Sequence, residues 1–268
     1  MAFNLTLGSF FRPWVVMMVL ALLPFGSAQF CSFFNSGCVD PLAQTAVRFD
    51  FQPLFPDPIT LHFGFDASAS GKGEGPMTKL AFWLRYRHRQ VDSDAVDANL
   101  TSEVALRVGN LTGTPSGLNN GCDGIWGPTC SSDFKSALRH TMYKQALSDE
   151  DYPKPLAAAL DKMLRSPPKI SCPSLMFDVD SIPVQEFAQE RIPGQNVTVM
   201  SPGSGNFPWQ VWYLDNMTAN KQAVQVAVGI VSRGPTSNSD RPRSANDIQV
   251  ELVCVQAPSG RPSKGSHD

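Results

Sequence analysis

Apolar and polar residues alternate with a period of two along most of the chain. Val47, Phe49 and Phe51 are separated by Arg48 and Asp50, and Ile59, Leu61, Phe63 and Phe65 by Thr60, His62 and Gly64. The same alternation carries Phe82, Leu84 and Tyr86, then Val104, Leu106 and Val108, and it returns over residues 175–179, 197–200 and 211–214. Near the end, Val224, Val226, Val228 and Ile230 are followed by Ile248, Val250, Leu252 and Cys254. Successive side chains of a strand point to opposite faces, so each run predicts a strand with one face in a core and the other in solvent. Short strands punctuated by Gly, Pro and Asn predict a mainly β fold, an antiparallel β-sandwich of jelly-roll-like form. The last two runs are predicted neighbours across the polar residues 232–247, with Cys254 facing the core beside Val250 and Leu252.

The middle of the chain changes period. Phe134, Ala137, Leu138, Thr141, Met142 and Gln145 fall at helical spacing, and Ser132 offers an N-cap. Leu156, Ala159, Leu160, Met163 and Leu164 begin after Pro155 and stop before Pro167 and Pro168, which is helix punctuation. The expectation is a helical pair over 132–166, inserted into a single domain of residues 29–256 and packed on its sheets. The Pro-, Ser- and Gly-rich residues 257–268 are expected to form a disordered tail.

The first 28 residues read as an address. Arg12 precedes an apolar run at 14–23, Pro24 breaks it, and Gly26, Ser27 and Ala28 supply small residues at the cleavage position. That is the pattern of a secretory signal peptide. A membrane-spanning helix needs about twenty apolar residues, roughly twice this run. No later segment is long enough either, so the expected location is extracellular, with no membrane span after cleavage.

Cysteines and sequons agree with that compartment. The six cysteines, Cys31, Cys38, Cys122, Cys130, Cys172 and Cys254, suit three disulfides in a secreted protein, and fifteen pairings are open. Spacing favours Cys31 with Cys38 and Cys122 with Cys130, leaving Cys172 for Cys254. Asn99, Asn110, Asn196 and Asn216 each begin an Asn-x-Thr sequon and are candidate glycan acceptors.

Composition narrows the function classes. With 22 Lys and Arg against 24 Asp and Glu, the net charge is -2, too even for a nucleic-acid binder that relies on a basic face. An apolar share of 42% excludes a disordered chain. No nucleotide loop, zincin motif or serine-hydrolase elbow is present, so no cofactor is implied. His62, His88 and His140 read as exposed or structural, and the cysteine spacing does not suit zinc. Asp123, Asp133 and residues 149–151 offer oxygens to calcium but lack the order of a calcium loop. No metal site is therefore expected.

Two candidate chemistries remain. Trp126, inside the loop that a Cys122 to Cys130 bond would close, and Trp209 and Trp212, three apart on a strand, could stack on a sugar or a partner. Asp178 and Asp180 would share a strand face near Glu186, Glu190 and Glu251, the raw material for paired-carboxylate hydrolysis of a glycan. The expected function is a non-catalytic binding module for cell-wall glycan or another surface protein. The alternative is a secreted glycoside hydrolase.

The segment NNGCDGIWGPTC leading into a helix, and the strands VQVAVGIVS and DIQVELVCVQA, resemble extracellular portions of uncharacterised fungal secreted or cell-surface glycoproteins. The resemblance implies a fungal extracellular protein and carries no activity with it.

Overall fold

The computed structural model describes residues 30–31, 38–39, 43–66, 77–86, 100–148, 154–187, 210–215, 219–235 and 241–257. Strands dominate. They are β1 (Phe30–Cys31), β2 (Cys38–Val39), β3 (Ala43–Phe51), β4 (Phe55–Asp66), β5 (Met77–Arg85), β6 (Leu100–Arg107), β7 (Val184–Phe187), β8 (Gln210–Asp215), β9 (Ala227–Pro235) and β10 (Gln249–Val255). The helices are α1 (Asp123–Trp126), α2 (Pro128–Ala146), α3 (Pro155–Arg165) and α4 (Ala219–Ala223). One four-stranded sheet has the order β3-β4-β5-β8 and another has β10-β9-β6-β7. Every neighbouring pair in both is antiparallel, including the expected β9–β10 pair. The expected signal segment 1–28, and the expected strand at 197–200, lie outside the described residues.

The two sheets contribute to one buried cluster. Phe49, Ile59, Leu61, Phe63, Leu80, Phe82 and Leu84 come from the first sheet, and Val104, Leu106, Val231, Val253 and Val255 from the second. Ala257, the first residue of the expected tail, is buried in the same cluster. At Gly229 of β9 the two sheets approach so nearly that a Cβ would lie 2.5 Å from Cδ2 of Leu61. A side chain here would require the buried Leu61 to shift. Replacing Gly229 by Val is expected to cost about 1–3 kcal/mol through overpacking. Leu61→Ala in the same chain should recover part of that loss, as the urea midpoints of the single and double variants will read.

The second sheet is covered on its other face as well. Ala105, Val228, Ile230, Val250 and Leu252 pack with Phe134, Leu138 and Met142 of α2 and Leu156, Ala159, Leu160 and Met163 of α3. The helical pair is thus inserted between β6 and β7 and lies on the sheet, as its sequence position suggested. This corrects the expectation of one solvated face per strand. Residues 101–107 of β6 and all of β9 are buried. A strand covered on both sides must bury whatever its second face carries, and on β6 that includes Glu103 and Arg107.

Three local expectations change. The first long helix starts at Pro128 and not at Ser132. Gly127, at φ 86°, breaks the chain between α1 and α2, and Pro128 then supplies a φ already set for a first helical turn. Residues 175–179 are not a strand, because Ser174–Phe177 forms a 3₁₀ turn. Its consecutive carbonyls at Leu175 and Met176 both accept from Arg107, which aligned carbonyls can do and the alternating carbonyls of a strand cannot. Val224 is exposed in a turn, and β9 starts at Ala227.

The disulfide pairing is also different. Cys122 bonds to Cys254, and Cys130 bonds to Cys172, with Cα separations of 4.9 and 4.7 Å. The expected pairs Cys122 with Cys130 and Cys172 with Cys254 do not form. The segment between Cys122 and Cys130 is a helical turn, a glycine break and a new helix, so its two sulfurs face different neighbours. Cys254 still makes the sheet-to-helix bond that its core-facing position suggested. The ladder register sets Cys31 opposite Cys38.

Candidate functional site

The covalent bond to Cys254 docks a loop on the edge of β10. The Cys254 amide donates to the Asn120 carbonyl at 3.1 Å, and the Asn120 side-chain amide donates to the Leu252 carbonyl at 2.8 Å. An unpaired strand edge is thereby partly covered. Behind this loop, Asp123 Oδ1 accepts from Asn119 Nδ2 at 2.8 Å and from Ser131 Oγ at 2.6 Å. The indole N–H of Trp126 donates to Ser131 Oγ at 2.8 Å, and the ring packs on the helix-side cluster. Trp126 is therefore half-buried and tied into the loop's own network.

A cleft of about 470 Å³ opens beyond α3. It is lined by Pro167, Pro168, Cys172, Ser174, Leu175, Phe177 and Asp178. Two devices hold its floor. The Cys130–Cys172 bond ties it to α2. From beneath, Arg107 donates through Nε to the Met176 carbonyl at 3.2 Å, and through its two terminal nitrogens to the carbonyls of Gly109 and Leu175. Arg107 is fully buried, and burial lowers its pKa to about 10 against the opposing attraction of Asp178. Leu175 leaves 45% of its surface in solvent, although its backbone is clamped. An aromatic ring, prolines, a hydroxyl and a carboxylate on a rigid floor form an open site of mixed character.

The acids singled out in the sequence do not converge. Asp178 lines the cleft and Asp180 is exposed. Glu186 sits on β7 with Lys154 at 3.7 Å, and Glu251 sits on β10 with Lys135 of α2 at 3.4 Å. Glu190 lies outside the described residues. The carboxylate that does meet one of them is Glu103, which the β6–β7 register places opposite Glu186. Sequence reasoning passed over Glu103 because its face of β6 looked solvated. The signal was present on the neighbouring strand. Val226, Val228 and Ile230 alternate with Ala227 and Gly229, so the first half of β9 has no polar face, and a strand beside it is covered on both sides too.

The other candidates are placed as follows. Asp133 Oδ2 accepts from the Ser171 amide at 3.1 Å. Burial, and then the charge of Arg85, lowers the pKa of half-buried His62 to about 4. His140 is exposed on α2, and His88 lies outside the described residues. Trp212 is on β8 opposite Leu80. Trp209, Asn99, Asn196, Asn216 and the acids at 149–151 lie outside the described residues. Asn110 is exposed in a turn after β6, at φ 54°. Among the described residues no helix is long and apolar enough to cross a membrane.

No family model, curated protein or solved structure matches this chain.

Proposed function

We propose that the chain is a secreted, N-glycosylated binding module of fungal cell-wall or surface type, in which the two sheets form a jelly-roll-like β-sandwich. Residues 1–28 are its signal peptide, Asn99, Asn110, Asn196 and Asn216 its glycan acceptors, and Cys31–Cys38 its third disulfide. Two disulfides support an oxidising compartment. The observation that carries the binding reading is the clamped cleft at residues 167–178. Its volume falls within the range of small-molecule sites, roughly 300–1,000 Å³. Phe177, Ser174 and Asp178 combine an apolar ring with groups that hydrogen-bond sugar hydroxyls, and the ligand assigned to the cleft is a glycan of the cell wall.

Leu175→Ser tests this without touching the clamp, since Arg107 holds the Leu175 backbone and not its side chain. Retention of the secreted protein on insoluble cell-wall polysaccharide is expected to fall at least about tenfold, the loss of one buried apolar contact with its surroundings. Equal retention of both proteins removes the cleft from the reading. Retention that vanishes when the wall is stripped of protein assigns the partner as a surface protein instead.

The glycoside hydrolase alternative draws on one observation, the opposition of Glu103 and Glu186. Glu103 has no exposed surface and lies under the first turn of α3. A glycosidic oxygen has no path to it, so the pair is not assigned to hydrolysis.

A further inference from the structure

β6 carries its buried carboxyl where α3 begins. Glu103 Oε2 accepts a hydrogen bond of 2.6 Å from the Leu156 amide in the first turn of that helix. Among the described residues Glu103 Oε1 has no hydrogen-bond partner, and neither has Oγ of Ser232. Both residues are fully buried. The ladder puts Glu103 directly opposite Ser232 on β9, and opposite Glu186 on β7. Side chains directly opposite in a sheet share one face, with Cβ atoms about 4.5–5.5 Å apart. Two unsatisfied buried oxygens therefore belong to neighbouring side chains on the sheet face beneath α3. An ionised Glu103 would add a charge there with water excluded.

We propose that Glu103 is a proton-operated latch that seats α3 on the second sheet. With a proton on Oε1, a rotation of the side chain lets that O–H donate to Ser232 Oγ while Oε2 still accepts from Leu156. The neutral acid then bridges β6, β9 and α3 and satisfies both free oxygens. Without the proton, a buried negative charge faces Glu186, the bridge to Ser232 is lost, and β6, β9 and α3 are held together less tightly.

The groups around the site act in both directions. Burial disfavours the charge most, and Glu186 adds to it. The amides of Leu156 and Ala157 and the ammonium of Lys154 at the start of α3 favour it. Arg107, on the same face of β6, is committed to backbone carbonyls. The balance raises the pKa from 4.5 to about 7. The folded chain thus holds this proton where the unfolded chain has lost it. The stability it brings is full below pH 4.5 and is lost as pH rises through 7. From these two values the folding equilibrium constant falls roughly 70-fold between pH 5 and pH 8 through this group. The latch is independent of what the cleft binds, although α3 leads directly into the cleft's prolines.

The test uses the full secreted protein with its disulfides intact. Urea unfolding of the wild type and of Glu103→Gln is compared at pH 5 and pH 8. The wild type is expected to lose stability over that interval, and the variant, which keeps a neutral donor and acceptor, is expected to lose roughly 70-fold less in equilibrium constant. Equal pH dependence of the two proteins overturns the latch. A carbon-13 NMR titration of the wild-type glutamate carboxyls decides the matter even if the variant fails to fold. One carboxyl with a midpoint near 7, assigned to Glu103, supports it. All glutamates titrating near 4.5 overturn it.

Discussion

Replacing Cys122 and Cys254 together by alanine is expected to destabilise the protein by about 5 kcal/mol. The bond closes a separation of 132 residues, and the entropy removed from the unfolded chain grows with the length of the loop closed. The effect on the native state adds to this. Cys254 is on β10 and Cys122 precedes α1, so the bond fixes the loop at 115–121 against the sheet edge, where Asn120 makes its two hydrogen bonds. Without the bond, that edge is free to exchange with solvent or with a second chain. The Cys130 and Cys172 pair, 42 residues apart, should cost about 4 kcal/mol on the same reasoning. For a chain of this size, 1 kcal/mol shifts the melting temperature by roughly 2–4 °C, so the first double variant should melt roughly 10–20 °C lower. A loss under about 1 kcal/mol in urea unfolding would mean that hydrogen bonds and packing already hold the loop when the sulfurs are removed.

The pairing itself shows why much of this fold could be read from the chain and part of it could not. Alternation placed Ile59, Leu61 and Phe63 in a core, and they are there. Alternation reports one face at a time, however. It cannot say whether a polar second face meets water or a helix, and on β6 it meets a helix. Thr101, Glu103 and Arg107 were consequently legible as polar and not as buried. The cysteines failed for a related reason. Close spacing between Cys122 and Cys130 suggests a short closed loop only if the chain between them bends freely. Here Gly127 and Pro128 start a new helix, and the partner of each sulfur is set by packing over 132 and 42 residues. The cleft was least legible, since its shape depends on Arg107 collecting carbonyls from residues almost seventy positions away.

Arg107→Met is the second substitution with a large expected effect. Methionine fills most of the same space and removes every donor from the guanidinium. The Met176 carbonyl would then lose its donor in a buried site, and those of Gly109 and Leu175 in part-buried ones. A buried carbonyl left without a donor costs about 1–3 kcal/mol and a part-buried one less, so a total loss of about 2–4 kcal/mol is expected after relaxation of the turn. Arg107→Lys should recover only a fraction, because one ammonium cannot serve three divergent carbonyls as a planar fork does. The loss is expected to be local as well as global. With the clamp gone, the 3₁₀ turn at Ser174–Phe177 keeps the Cys130–Cys172 bond, the backbone hydrogen bonds from Met176 to Pro173 and from Asp178 to Leu175, and the packing of Met176 and Phe177, but loses its tie to β6, so exchange protection at the Met176 amide should fall before global unfolding. A wild-type unfolding midpoint in Arg107→Met, with Met176 still protected, would mean that the cleft is shaped by the disulfide alone and that the buried charge is incidental to it.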